Sequence, residues 1–455
     1  MIRWCLLGVV LLLGGCAAVR SYDRELYLTL DRATTGSVDN AIQLLEANNR
    51  ASDKDLLYYL ELGMLQRLGS RYQESQKAWL SANARIEAEA DSLAQLSGFA
   101  RGVSSYVIND RVRTYAGYDY EKTMLLTYMA LNHVAMGDFD NARVAIKQAH
   151  ELEAQIAEQR AKQYAEVEES ARKRGARTSF KELNGYPIET IDTPEVNALR
   201  NGYQSALSHY LAGFIYEALG EPSLAAPGYR LANELQPGQP LLEEALRGLD
   251  ARVAAPDDGM TDVLVVIETG TAPALQSRSF LLPVFVEGRM LLVSNAFPVM
   301  TQTSWAPPPS QVTFDEQTLP VARISSIDLM ARRRLMDDMP SIMLRATIRS
   351  AVTATLQYQA QRAADREHTL AMALGAVVIT AGSAAFAHAD ERTWRALPSD
   401  VSIARARLPR GTRNMTLQTA EGARTAQVSL SGRYAVVDLR LLRHQLFVNA
   451  PREAR

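Results

Sequence analysis

Three helical windows with one internal spacing constrain the fold of this 455-residue chain more than any other feature of its sequence. In each window, four residues that are mostly small are separated by 12, 4 and 3 positions. The windows are Gly63, Ser75, Trp79 and Ala82; Ala130, Ala142, Ile146 and Ala149; and Gly213, Ala225, Tyr229 and Ala232. Small residues let two antiparallel helices approach closely, and a large residue one turn later fills the space toward the next pair. The pattern predicts a stack of helical hairpins.

The spacing resembles the tetratricopeptide repeat, a helix–turn–helix unit of about 34 residues. Pro237 ends the third window, since proline opposes continuation of a helix. Residues 151–181 interrupt the repeats with a charged helical run, acidic at first and basic later. This run is either a solvated helical insertion or a docking arm for another protein. We therefore predict that residues 16–253 form a tetratricopeptide-like α-helical domain with an insertion at 151–181.

A stack of this kind leaves a concave face along the first helix of each pair. Six residues are predicted to line this face: Leu60, Met64, Arg67, Tyr210, Phe214 and Glu217. Apolar and aromatic side chains on such a face suit an extended peptide or a partner helix. They suit equally well a neighbouring helix or the C-terminal part of the same chain, and the sequence leaves both interpretations open.

The composition changes at residues 254–259, Ala-Ala-Pro-Asp-Asp-Gly, where we place a domain boundary. Residues 262–268 form a β-branched run typical of a buried strand, and residues 279–293 continue the strand pattern. Short strands separated by glycine turns return between residues 401 and 448. Residues 259–455 are therefore predicted to be a β-sandwich-like domain, which makes the whole chain an α+β protein.

A helical block at residues 321–388 is predicted to be an insertion in this second domain. Pro340 is expected to begin a helix there, because proline is tolerated in a first turn. The three arginines at 332–334 are expected at a solvated helix end, with contact to lipid head groups as the alternative. Residues 370–387 carry no charge, and their length is at the lower limit for a membrane span. They are interpreted as a buried helix, with a membrane-contacting or oligomer-lining segment as the alternative.

The N-terminus has the pattern of a secretory signal peptide: Arg3, an apolar run over residues 4–13, and small residues before Cys16. The run is too short to cross a membrane and stay there. Its end, Leu-Gly-Gly-Cys, resembles the lipobox of bacterial lipoproteins. The resemblance implies that residues 1–15 are removed and that Cys16 carries palmitate or similar acyl chains. It also implies an outer-membrane anchor facing the periplasm, because inner-membrane lipoproteins usually have Asp where this chain has Ala17.

Charge and cysteine content narrow the possible functions. The formal net charge is -2 at pH 7, so no strongly basic face for nucleic acid is expected. The two cysteines are Cys5, in the segment predicted to be removed, and Cys16, predicted to be acylated. The mature chain is therefore predicted to contain no disulfide and no cysteine-based metal site.

A further pattern lies near the second group of strands: Asp390, Arg392, Trp394, Leu397-Pro398, Leu408-Pro409 and Gly411. Together with the repeats and the lipobox, it is similar to a proteobacterial family of tetratricopeptide-bearing envelope lipoproteins. That resemblance implies helical repeats followed by a β-rich domain, and it implies no particular chemistry. We interpret Asp390, Arg392 and Trp394 as a structural lock, in which an ion pair and an indole fix the start of a strand.

Common catalytic motifs are absent from the sequence. The six histidines lack zinc-ligand spacing, and no nucleophile elbow, Walker loop or dinucleotide-binding glycine motif occurs. We predict no metal, no cofactor and no catalytic residue. The leading hypothesis is a lipid-anchored periplasmic scaffold that binds other envelope proteins, or itself, in cell-wall synthesis or envelope assembly. The alternatives are a cell-wall-acting enzyme or ligand binder using the C-terminal domain, and a membrane-associated oligomer built on residues 370–387.

Overall fold

The computed structural model describes residues 22–35, 37–95, 114–176, 178–286, 289–301, 308–367 and 388–449. Helices make up the chain before the first strand, the later part consists mainly of strands with one long helix between them, and the fold is α+β, as predicted. The helices are α1 (Tyr22–Thr35), α2 (Val38–Asn48), α3 (Leu56–Leu68), α4 (Tyr72–Gln95), α5 (Asp119–Ala135), α6 (Phe139–Arg174), α7 (Pro194–Ala198), α8 (Ala206–Ala218), α9 (Pro222–Leu235), α10 (Pro240–Arg247), α11 (Leu249–Ala254) and α12 (Ile327–Glu367). The strands are β1 (Met260–Thr269), β2 (Leu275–Val286), β3 (Arg289–Met300), β4 (Gln311–Phe314), β5 (Gln317–Pro320), β6 (Ala322–Ser326), β7 (Asp400–Pro409), β8 (Gly411–Thr419), β9 (Gly422–Leu430), β10 (Tyr434–Leu442) and β11 (Gln445–Asn449).

Consecutive helices pack in pairs: α3 with α4, α5 with α6, and α8 with α9. A Cβ atom at Gly63 would lie 2.2 Å from the indole Nε1 of Trp79, and one at Gly213 would lie 2.5 Å from the ring of Tyr229. Glycine at these two positions therefore lets the helices of a pair approach closely. The turn between α8 and α9 contains Gly220 at a φ of +73°, a conformation that favours glycine.

The strands form three sheets. β1 lies at the centre of a five-stranded sheet of order β11-β10-β1-β7-β6, parallel to β10 and antiparallel to β7. A four-stranded sheet has the order β5-β4-β8-β9, and β2 and β3 form a separate hairpin with 12 residues in each strand. Residues 263–267 of β1 are all 0% exposed, because both faces of this strand are covered.

The two faces of β1 belong to different parts of the hydrophobic core. Val263 and Val265 pack with Phe314 and Met415 of the four-stranded sheet, so the two sheets lie face to face. Residues on the other face, such as Leu264, belong to a cluster that also contains core residues of α3, α5 and α8. The helices and the five-stranded sheet therefore share one core across the change of composition at 254–259.

Three local predictions within 321–388 are wrong. Residues 322–326 form β6, which pairs with β7. Pro340 begins no helix, since it lies inside the continuous α12. The arginines at 332–334 are not at a solvated end, because each pairs with an aspartate one turn later or earlier on α12. Such pairs stabilise the helical turns before Pro340. Met339 and Met343, which are buried in the core on either side of Pro340, hold the helix in place through packing.

Two predictions fall outside the described residues, namely the acylated Cys16 and the charge-free segment 370–387. Within the described residues, every helix is too short or too polar to cross a bilayer.

Candidate functional site at the helix–strand interface

The six residues predicted to line a concave docking face are all buried. Each is at most 1% exposed: Leu60, Met64, Arg67, Tyr210, Phe214 and Glu217. The strand region of the same chain covers them, because the five-stranded sheet packs onto the helices that carry them. The prediction of an open groove for another protein at these residues is therefore wrong. In the structure these residues pack against the C-terminal part of the same chain, which was the alternative.

Arg67 joins the helices to the five-stranded sheet. It is 1% exposed, it forms an ion pair with Asp438 of β10, and its Nη1 donates to Asn132 Oδ1 of α5 at 2.6 Å. Asn132 in turn donates through Nδ2 to Ser75 Oγ of α4 at 2.9 Å. The rings of Tyr72 and Tyr128 lie within 5.8 Å of the guanidinium carbon. A charge buried this deeply is stable only when it is paired and hydrogen-bonded, and Asp438 and Asn132 serve the two Nη atoms, whereas Arg67 Nε has no hydrogen-bond partner.

Arg440 of β10 forms a second buried pair with Glu268 of β1. The Nη1–Oε2 distance is 3.5 Å, and Arg440 Nη2 donates to the carbonyl oxygens of Gly270 at 2.7 Å and Ala396 at 3.0 Å. Burial and the neighbouring Asp438 carboxylate raise the pKa of Glu268, against the effect of Arg440. Arg440 thereby ties the sheet to the backbone of residues 389–399, which we call the held segment.

Glu121, near the start of α5, holds the same segment from the helix side. Its Oε1 accepts the backbone N–H of Trp394 at 2.7 Å and the hydroxyl of Thr393 at 3.1 Å. Its Oε2 accepts the backbone N–H of Tyr118 at 2.9 Å and the hydroxyl of Tyr115. Burial raises the pKa of Glu121, and the N–H donors partly counteract it.

Glu61 of α3 binds the next two residues of the held segment. Its Oε1 accepts the backbone N–H of Arg395 at 2.6 Å, and its Oε2 accepts that of Ala396 at 3.1 Å. Burial raises the pKa of Glu61 to about 8, despite these two donors. Three consecutive backbone N–H groups of the held segment, 394–396, are thus bound by two helix carboxylates.

The residues interpreted as a structural lock lie in the held segment. Arg392 forms an ion pair with Asp390, with an Nη2–Oδ2 distance of 2.7 Å, and its guanidinium lies 5.3 Å from the ring centre of Tyr115. Trp394 is 0% exposed, and its ring centre lies 6.1 Å from that of Trp79. The large residue of the first sequence window therefore contacts the held segment as well as its partner helix.

A second charged cluster surrounds Glu217 of α8. Its carboxylate accepts Arg252 Nε at 2.7 Å, Arg405 Nη2 at 2.6 Å and the Tyr229 hydroxyl at 2.6 Å. Burial alone would raise the pKa of Glu217, but these partners lower it. Arg405 also pairs with Asp262 at 2.7 Å, so the cluster links α8 and α11 to β1 and β7. It borders a cleft of about 610 Å³.

Another cleft, of about 420 Å³, lies between α6, α8 and α9. The rings of His150 and His209 stack there with centres 4.5 Å apart, and His209 Nε2 lies 2.9 Å from Glu153 Oε2. Burial and the neighbouring His209 lower the pKa of His150 to about 4. Across the described ranges, no cluster of His, Cys, Asp and Glu side chains is arranged to hold a metal ion.

Comparison with protein-family models, with curated proteins and with solved structures finds no match for this chain. The resemblance to envelope lipoproteins therefore stays a prediction from the sequence motifs.

The sequence did not predict most of the network at the helix–strand interface. Glu61, Glu121, Glu268, Asp438 and Arg440 come from distant positions and share no motif. The local signal for the last three was a charge inside an apolar strand run, since a charge there needs a partner. We call these five residues and Arg67 the interfacial network.

Proposed function

We propose that this chain is a lipid-anchored scaffold of the bacterial envelope, which faces the periplasm and works by binding and positioning other envelope proteins. The acyl anchor at Cys16 and the tetratricopeptide-like nature of the helix stack are part of the proposal. Its mechanism is non-covalent: the helices and sheets form the body that carries the docking surfaces, and the anchor keeps that body at the membrane.

One observation carries the proposal. Buried carboxylates with raised pKa values are the usual candidates for general acids and bases. Here Glu61 and Glu121 have such pKa values, yet they bind the backbone of residues 394–396 inside the protein. The carboxylates that an enzyme would use on a substrate thus bind the helix stack to the held segment of the same chain.

The strand region covers the face that was predicted to bind other proteins. We therefore expect the docking surface on the outside of the helix stack. Several large apolar side chains are exposed there, including Leu80 of α4 at 54%, Val144 of α6 at 51% and Leu224 of α9 at 51%. An outward-facing residue on each helix pair gives a multi-site surface of the kind that repeat scaffolds offer.

Site-specific photo-crosslinking in intact envelopes tests the proposal. A photoreactive residue is placed at Leu80, Val144 or Leu224, and at the fully buried Phe214 as the matched control. We expect adducts with a different envelope protein at one or more of the three exposed positions and none at position 214. A chain that stays in the membrane fraction but gives no adduct at any exposed position contradicts the scaffold function.

The cleft of about 610 Å³ supports a second candidate, a ligand binder acting through the C-terminal strands. Arg252, Arg433 and Tyr434 line this cleft beside acidic residues. Cell-wall glycan fragments should then raise the unfolding temperature of the purified protein, and Tyr434→Ala should remove that shift. Hydrolysis of such a fragment by the purified chain would favour an enzyme over either binding function.

A further inference from the structure

The cleft between α6, α8 and α9 has the size of a site for a small organic molecule. Its volume is about 420 Å³, and pockets for such ligands measure about 300–1,000 Å³. Apolar side chains form much of its wall, including Ala157 of α6, Ala212 of α8, and Leu224, Pro227 and Leu231 of α9. Ligand sites combine walls of this kind with a few polar groups that fix orientation, so the polar groups of the cleft indicate its ligand.

Two buried polar atoms at this cleft have no hydrogen-bond partner. His150 and Glu153 both line the cleft, and they lie on the same face of α6 because they are three residues apart. Glu153 is 4% exposed, and its Oε2 lies 2.9 Å from His209 Nε2 and accepts Gln204 Nε2 at 3.3 Å. Its other oxygen, Oε1, and His150 Nε2 are without a partner among the described residues. An unsatisfied buried polar atom costs free energy, which a ligand recovers when it supplies the partner.

The chemistry of these two atoms calls for a donor. An ionised carboxylate oxygen only accepts, and a neutral imidazole nitrogen accepts when the proton is on the other nitrogen. Burial and the neighbouring His209 lower the pKa of His150 to about 4, so its ring is neutral at pH 7. Among the described residues that line the cleft, Glu153 is the one carboxylate. An ammonium group supplies several donors and a positive charge, and such charge-assisted hydrogen bonds are about twice as strong as neutral ones.

A cation stands at the open side of the same cleft. Arg200, in the loop before α8, lines the cleft, is exposed and forms no ion pair within the described part of the chain. The turn that follows it is held by Asn201, whose Oδ1 accepts the backbone N–H groups of Tyr203 at 3.1 Å and Gln204 at 2.9 Å. A guanidinium can bind a carboxylate through two parallel N–H donors. The cleft therefore has an anion in its buried part and a cation at its open side, which complements a zwitterion.

We propose that this cleft binds a small zwitterion, an amino acid or short peptide with an apolar side chain. The ammonium group of the ligand lies at Glu153, its carboxylate at Arg200, and its side chain against Leu224, Pro227 and Leu231. The site is separate from the cleft beside Glu217, and the inference does not depend on the proposed scaffold function.

Isothermal titration calorimetry of the purified full-length protein at pH 7 tests the ligand class. The probes are leucine and the dipeptide alanyl-leucine, and we expect saturable binding of at least one of them. For leucine, two analogues separate the contacts: leucinamide lacks the carboxylate, and 4-methylpentanoate lacks the ammonium group. Each should bind at least tenfold more weakly than leucine. Absence of binding by both probes overturns the inference, as does 4-methylpentanoate that binds as tightly as leucine.

A cleft-filling variant locates the binding. Ala157 is an exposed residue of the cleft wall, so Ala157→Phe should reduce binding at least tenfold without loss of helical circular dichroism. Ala161→Phe is the matched control, because Ala161 lies one turn later on α6, is exposed and lies outside the cleft lining. It should bind as wild type does. An Ala157→Phe chain that keeps full affinity shows that the ligand binds elsewhere and overturns the inference.

The charged contacts are tested by two further variants. Arg200→Ala should weaken leucine at least tenfold and leave the affinity for leucinamide unchanged, whereas Arg230→Ala, on the exposed surface of α9, should change neither. Glu153→Gln should weaken both ammonium-bearing probes, and its unfolding temperature shows whether the chain is still folded. An Arg200→Ala chain with wild-type affinity for leucine contradicts the proposed carboxylate contact, and with it the zwitterion.

Discussion

Replacing Glu61 by glutamine should make the protein more stable at alkaline pH. In the folded chain the Glu61 carboxylate is 1% exposed and accepts the N–H groups of Arg395 and Ala396. A glutamine side chain has the same shape and keeps one carbonyl acceptor for these donors. It loses the capacity to ionise inside the helix–strand interface, and its NH2 group cannot accept the N–H that the second carboxylate oxygen accepts.

The size and sign of the effect follow from the pKa. Burial raises the pKa of Glu61 from 4.5 to about 8. A carboxyl group with a raised pKa in the folded state contributes stability that is complete below its unfolded pKa and is lost as the pH rises through the folded pKa. The wild-type free energy of unfolding should therefore fall between about pH 4.5 and 8. At ~1.4 kcal/mol per pKa unit, the full contribution of this one group is about 5 kcal/mol.

Urea unfolding followed by tryptophan fluorescence between pH 5 and 9 measures this difference. At pH 5 both side chains are neutral, and the Glu61→Gln chain should be less stable than wild type by about 1–3 kcal/mol, because its NH2 group leaves one buried N–H without an acceptor. At pH 9 the variant should be more stable by several kcal/mol. Glu74→Gln, on the exposed surface of α4, is the control and should run parallel to wild type. A Glu61→Gln chain that is less stable than wild type at pH 9 would refute the reasoning.

The remaining predictions concern packing, anchoring and charge. Gly63→Ala should lower the free energy of unfolding by about 1–3 kcal/mol in urea titrations, because its Cβ would lie 2.2 Å from the Trp79 indole. Gly69→Ala, where the nearest atom is 3.4 Å away, should change it by less than about 0.5 kcal/mol. Cys16→Ala should move the protein from the membrane fraction to the soluble fraction, and retention in membranes would show another anchor. Reversing the three charges at 172–174, which are exposed at the end of α6, should leave the helical circular dichroism unchanged, and its loss would show that this end is packed.

The helices and most strands could be predicted from the sequence because their signals are local. The 12, 4 and 3 spacing identifies residues that meet across a helical hairpin, and Gly63 against Trp79 and Gly213 against Tyr229 are such meetings. The apolar run at 262–268 likewise matches β1, whose residues 263–267 are buried on both faces. Prediction failed at Pro340, because α12 is packed into the core through Met339 and Met343, and this tertiary packing outweighs the preference of a single residue.

The contacts of the candidate site were likewise predictable only where the two residues are close in sequence. Asp390 and Arg392 are two positions apart, so their pairing was visible in the sequence. Glu61 and Arg395 are 334 positions apart, and Arg67 and Asp438 are 371 apart, so no local pattern brings either pair together. The sequence placed Arg67 and Glu217 on one face of the helix stack, and it left open whether another protein or the C-terminal part of the chain covers that face.

The sequence by itself determined most of the helices and strands, and it supplied the motifs for a predicted signal peptide and anchor. Only the tertiary structure decided that the strand region covers the face of the helix stack that carries Arg67 and Glu217. The physical reason is that the spacing of apolar residues along the chain indicates whether a side chain is buried. Its pKa, its partner and its accessibility to another molecule depend on groups that only the folded chain places beside it.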